Sequence, residues 1–151
     1  MQNEEFFFED RNELRALLSN CTYTTLALND GNDSYILTLN YGLDEKEDIL
    51  YFKSTRGGTK LDFLKSNPYL CGTVILENEY DAETDRTCCK SVVYYGLMEV
   101  IHKSDEKRHA LETLFKQINR EEPPLPDNTG SDEALVMKLS IDEMTGKRNP
   151  V

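Results

Sequence analysis

Leu50-Tyr51-Phe52-Lys53-Ser54-Thr55-Arg56-Gly57-Gly58-Thr59-Lys60, followed at once by Leu61-Asp62-Phe63-Leu64, carries more structural information than any other stretch of this chain. A run of β-formers stops at a glycine pair, and the residues beyond it read as the first turn of a helix. Three cations and three hydroxyls fall between Lys53 and Lys60. Glycine lets a backbone approach an anion closely, a helix start offers free N–H groups, and Lys or Arg adds charge. The layout suits a bound phosphate, with Ser54, Thr55, Arg56, Gly58, Thr59 and Lys60 as candidate ligands. The whole chain carries a formal net charge of -11, which points to a small phosphorylated ligand rather than a polyanion.

At 151 residues, 38% hydrophobic and 30% charged, the chain is expected to form one soluble globular domain over residues 1–151. Its 28 acidic against 17 basic residues argue against general nucleic-acid binding and against docking on an anionic membrane surface. No apolar run approaches the ~20 residues of a spanning helix. Met1-Gln2-Asn3-Glu4-Glu5 lacks the basic region of a signal peptide, so a cytoplasmic location is expected. Cys21, Cys71, Cys88 and Cys89 contain no C-x-x-C pair, which disfavours a zinc ribbon or a thioredoxin-like motif. Cys21 and Cys71 sit in apolar runs and read as buried free thiols. Cys88-Cys89 lies in a polar segment beside Arg86 and Lys90, where a redox-sensitive pair is conceivable but would bridge only with strain.

Working outward, Asp10 to Ser19 reads as a short amphipathic helix capped by Asp10, with Glu13 placed as in a capping box. Tyr23 to Leu28 and Ser34 to Tyr41 read as a hairpin around Asn29-Asp30-Gly31-Asn32. Asp44 to Asp48 is a solvated turn, and Ile49 opens the third strand. Lys60 to Ser66 is a helix stopped by Asn67-Pro68. Tyr69 to Glu77 is the fourth strand, Asn78 to Lys90 an exposed polar loop, and Ser91 to His102 the fifth strand, with Gly96 marking a bulge or close approach. Ser104 caps a helix with Leu111, Leu114, Phe115 and Ile118 on one face. Glu121 to Pro126 is an extended connector, and Ala134 to Ile141 closes the pattern. Six strands and three short helices favour a mainly β or α+β fold built on an antiparallel sheet or barrel. His102 and His109 read as surface residues, and no His/Asp/Glu cluster suggests a metal site. No G-x-S-x-G, P-loop or G-x-G-x-x-G pattern supports a hydrolase, nucleotide triphosphatase or Rossmann enzyme.

Several of these pieces, in order, resemble the pyridoxamine 5'-phosphate oxidase-like flavoproteins, and within them the nitroimidazole-resistance branch. They are Tyr35-x-x-x-x-Asn40-Tyr41, Leu50-Tyr51-Phe52-Lys53-Ser54 through Gly58-x-Lys60, and Ser66-Asn67-Pro68. Further along stand Ser91-Val92-Val93-Tyr94-Tyr95-Gly96, Asp105-Glu106-Lys107 with Ala110-Leu111, and Ile141 to Lys147. The resemblance covers about Asp10 to Lys147. It implies a six-stranded antiparallel split β-barrel with short flanking helices, paired as a homodimer with one FMN in each interface cleft. Lys60 would pair with the FMN phosphate, Ser54 and Thr59 would donate to it, and Gly58 would allow close approach. The strand Leu37, Thr38, Leu39, Asn40 would run beside the isoalloxazine ring, and Ser91 would lie near the dimer cleft.

The resemblance also implies an activity, namely electron transfer from a reduced nicotinamide, NAD(P)H, to a small oxidised acceptor, as in a nitroreductase. One departure bears on it. Lys53 stands where that branch usually shows histidine, and a charged lysine has no acceptor nitrogen. Lys53 could instead act as a fixed cation near the flavin ring. The alternative is a non-catalytic flavin- or haem-binding module, or a stress-related one, of the same fold. FMN, its deaza relative F420 and haem remain open as cofactors. Pyridoxal-phosphate metabolism proper is a weaker reading, because no Arg-rich stretch follows Lys147.

Overall fold

The computed structural model describes residues 6–55, 58–83, 86–119 and 134–150. Eight strands and three helices alternate along it. They are β1 (Phe7–Phe8), α1 (Arg11–Ser19), β2 (Tyr23–Asn29), β3 (Ser34–Asn40), β4 (Gly42–Asp44), β5 (Ile49–Thr55), α2 (Thr59–Ser66), β6 (Tyr69–Asp81), β7 (Arg86–Val100), α3 (Ser104–Asn119) and β8 (Ala134–Pro150). All neighbouring strands pair antiparallel in the order β3-β2-β6-β7-β8-β5-β4, with β1 added on β8. The sheet curls into a split β-barrel, as the resemblance implies.

Alternation along the strands fills the barrel. Leu26, Leu28, Phe52, Val92, Tyr94 and Met137 point inward and are almost fully buried. Leu14, Leu17 and Leu18 of α1 join the same core. Asp10 caps α1 as expected, accepting from the N–H groups of Asn12 and Glu13. The capping box is only half made, because Glu13 turns its carboxylate to Arg148 and Lys90, a pair of like charges facing each other across β7 and β8. On the outer side α3 covers β5 and β8, packing Ala110 and Leu111 onto Tyr51, Ile101 and Val136. The Gln117 amide pins this helix in place. It donates to the carbonyls of Leu18 (2.9 Å) and Cys21 (2.7 Å) and accepts from the Leu43 N–H at 2.6 Å.

Three expectations need correction. The strand count rises from six to eight because Phe7–Phe8 and Gly42–Asp44, too short to show a period, pair with β8 and β5. Asn78 to Lys90 is no open loop: past a bulge between Glu77 and Tyr80, Tyr80 still faces Thr87 and Asp81 still faces Arg86. Backbone groups make that ladder, so polar side chains do not end it. The last strand runs beyond Ile141 to Pro150, paired with β7 throughout. Gly96 does mark a bulge in the β7–β8 pairing, with Asp142 the extra residue on β8, and a Cβ at Gly96 would lie 2.2 Å from the Ser140 carbonyl oxygen. The Glu121 to Pro126 connector lies outside the described residues.

Asp48, in a left-handed conformation at φ 54, closes the turn between β4 and β5. Its carboxylate accepts from Arg15 Nε at 2.9 Å and from Arg11 at 3.2 Å. The Arg15 hydrogen bond holds the Asp48 pKa below its ordinary value of 3.8. A carboxyl lowered on folding adds stability above its unfolded pKa and loses it as pH falls through the folded value. Thermal melts of Asp48→Asn should therefore show reduced stability at neutral pH and a parent-to-variant gap that closes below about pH 4. A gap that stays constant down to pH 2 would remove the ion pair from the account.

Candidate functional site

The end of β5, the start of α2 and the strand β3 carry most of the residues picked out by sequence. Strand pairing sorts them by face. Lys53 lies opposite Val136 and Thr55 opposite Ala134, on the side covered by α3. Ser54 lies opposite Leu135, on the side of the barrel core. Lys60 runs its stem beside Leu37, Leu39 and Leu64 at the barrel mouth and brings its ammonium to Thr55, Nζ donating to Oγ1 at 3.3 Å. Its charge therefore stands beside the Thr55 hydroxyl at the end of β5. The Lys53 ammonium lies 5.7 Å above the Phe115 ring of α3, within cation–π range. Gly58 precedes α2 with φ 84, a conformation that glycine adopts without strain, and no side chain caps that helix. Arg56 lies outside the described residues.

The other candidates stand elsewhere. Leu37 and Leu39 face the core, while Thr38 is exposed on the outer face with its hydroxyl 3.2 Å from that of Thr25. Asn40 donates to the Thr22 carbonyl at 3.0 Å. Ser91 sits on the outer face of β7 between Ile75 and Lys147. With β2 and β6 between β3 and β7, Thr38 and Ser91 are separated by about 14 Å of sheet. Within the chain Lys60 reaches Thr55, Lys53 turns instead to Phe115, and Ser91 lies apart from them on β7.

Sequence reading missed Phe115 as a neighbour of Lys53; only its place on the apolar face of α3 signals that it points toward β5. It also missed the extent of the bare outer sheet. Tyr23 (63% exposed), Ile36 (67%), Ile75 (60%), Tyr95 (42%) and Leu97 (41%) lie on β2, β3, β6 and β7. Register joins them: Ile36 faces Ala27, Ala27 faces Cys71, and Cys71 faces Tyr95. Apolar residues on both faces of β7, from Val92 to Met98, were the available signal. Tyr94 is buried and its hydroxyl stands 2.7 Å from that of Thr24, whereas Tyr95 points out. A separate open groove of about 670 Å3 lies between α1, β4 and α3, and there His109 pairs with Asp44 at 3.0 Å. Among the described residues no helix is long and apolar enough to cross a membrane, and no cluster of metal-ligating side chains occurs.

This fold recurs in known proteins. Residues 10–148 match the family model for pyridoxamine 5'-phosphate oxidase, and the chain belongs to that family. Among solved structures it is similar to a candidate 5-nitroimidazole antibiotic-resistance protein from Bacteroides thetaiotaomicron. The two share 23% identity over 95% of this chain and 87% of that one, with a TM-score of 0.83. An FAD-binding protein from Mesorhizobium loti matches at 20% identity over 95% and 96% of the two chains, with a TM-score of 0.72. A flavocytochrome from Azotobacter vinelandii matches at 17% identity over 100% of this chain and 74% of that one, with a TM-score of 0.76. Among curated proteins none matches.

Proposed function

We propose that this protein binds FMN in a cleft between two copies of the chain and passes electrons from NAD(P)H to a small oxidised acceptor. The observation that carries the reading is a cation-and-hydroxyl cradle at the rim of a sheet whose outer face is exposed over β2, β3, β6 and β7. Lys60, Thr55, Thr59 and the glycine turn at Gly58 form a donor set that fits a phosphate monoester. Ser54 approaches from the barrel side of the same strand end. The exposed apolar residues of β2, β3, β6 and β7 stand on adjacent strands of one face rather than singly. A second copy would cover it and bring its own Ser91 and Tyr95 toward the first copy's site. An FAD-binding protein and a flavocytochrome among the structural relatives support a flavin as the cofactor.

A bound flavin supplies the hydride chemistry, and the chain supplies anchorage, orientation and exclusion of water. Lys60 holds the phosphate, and the backbone from Leu37 to Asn40 offers an edge along which a ring can lie. The alternative, a binding module without turnover, is favoured by Lys53 at the position where the related branch carries histidine. Oxidation of NAD(P)H in the presence of nitro and quinone acceptors separates the two, because a rate no greater than that of free FMN leaves only the module. The primary test is the visible spectrum of purified protein mixed with FMN and desalted, together with its size in solution. Retained flavin bands on a dimer are expected; a colourless protein refutes the proposal.

Lys60→Ala should weaken FMN retention by about tenfold or more, the scale of a lost hydrogen bond to a charged group. Equilibrium dialysis reads this directly. Unchanged affinity would move the anchor away from Lys60.

A further inference from the structure

We propose that Lys53 is the second cation of the phosphate site, held on the Phe115 ring until an anion draws it along the strand to join Lys60. The inference deepens the flavin reading and rests on it for the identity of the ligand. Strand pairing places Lys53 and Thr55 on one face of β5, with Ser54 on the other. Cα atoms two residues apart in a strand are about 7 Å apart, so an extended lysine at position 53 reaches the neighbourhood of the Thr55 hydroxyl. Lys60 Nζ is already there, 3.3 Å from Thr55 Oγ1.

Among the described residues neither ammonium is matched by a carboxylate ion pair. This holds in a chain whose acids outnumber its bases by eleven. The Lys138 ammonium, further along on the same face, is by contrast matched by Glu106. The contact of Lys53 with Phe115 at 5.7 Å is a weak one that a dianion outcompetes. Once brought together, the two ammonium groups and the Thr55 hydroxyl match the charge of a phosphate monoester. They match a neutral ring edge less well, since a ring contact needs only one of the two.

FMN and riboflavin differ only by the phosphate, so titrating both by fluorescence quenching locates the charge. Lys53→Met keeps the stem on Phe115 and removes the ammonium. It is expected to weaken FMN binding about tenfold or more while changing riboflavin binding less than twofold. Lys53→Arg should restore most of the FMN preference. In parallel, inorganic pyrophosphate should raise the melting temperature of the parent, and this rise should shrink in Lys53→Met and in Lys60→Met.

Equal weakening of FMN and riboflavin would place Lys53 at the ring and overturn the assignment. Parent-like behaviour of Lys53→Met in both measurements would overturn it too. If the parent binds neither flavin, the proposed function fails, and the pyrophosphate shift alone decides the role of Lys53. A parent indifferent to flavin and pyrophosphate alike overturns both.

Discussion

Gly42→Ala should lower the stability of this small protein by about 3 kcal/mol or more, at the upper end of what overpacking costs. Gly42 sits in β4, where α3 crosses close enough that a Cβ would lie 2.5 Å from the Leu114 Cα and 2.6 Å from its nitrogen. Those are helix backbone atoms, which cannot swing aside as a side chain end can. The helix must retreat, and with it the Gln117 amide and the Phe115 ring. For a chain of this length the loss corresponds to a fall in melting temperature of about 6–12 °C. Gly31→Ala is the control: its Cβ meets nothing within 4 Å, although φ +99 makes any side chain strained there. It should cost about 1–2 kcal/mol. A loss at Gly42 no larger than that at Gly31 would mean that α3 gives way to the added methyl at little cost.

The second large effect is expected on assembly. Ile75 and Val93 lie on adjacent strands of the bare outer face, 60% and 40% exposed in the protomer. Replacing both with lysine leaves the protomer's core untouched, so melting of the subunit should change little. Two uncompensated charges per copy would then have to enter an apolar interface, at several kcal/mol. The variant should run as a monomer at concentrations where the parent is a dimer, with dimer affinity down at least about a hundredfold. If the cleft is shared between copies, flavin retention falls in step. A parent that is already monomeric would remove the shared cleft from the proposal, and a variant that stays dimeric would move the interface off this face.

Much of the fold was legible because periodic apolar residues and turn chemistry agree locally. The hairpin around Asn29 to Asn32, the Asp10 cap and the Gly96 bulge all follow from side-chain preferences that act within a few residues. The polar arm beyond Glu77 and the extension of β8 past Ile141 were not legible, because backbone pairing with β7 holds them and leaves no apolar signature. The site was legible as a set of residue types and not as a geometry. Lys53, Ser54 and Thr55 read as one cluster in sequence, whereas strand alternation sends Ser54 to the opposite side. Phe115 is 62 positions from Lys53 in sequence, and its contact depends on how α3 docks, which no local pattern encodes. The outer face was half visible: the tyrosines and valines of β7 stood out, but which of them point outward depends on register.

The strand order has a bearing on how the chain is made. β8 lies between β7 and β5, yet it is the last strand in sequence. A growing chain therefore presents one edge of β5 and one edge of β7, both rich in apolar residues, until residues 134–150 have left the ribosome. At about 5–20 residues per second, the interval between completion of β5 and arrival of its partner lasts several seconds. During that time the exposed edges can pair with other nascent chains. Chaperone demand, and loss to aggregates when synthesis outruns it, should thus be governed less by the finished barrel's stability than by how long that seam stays open.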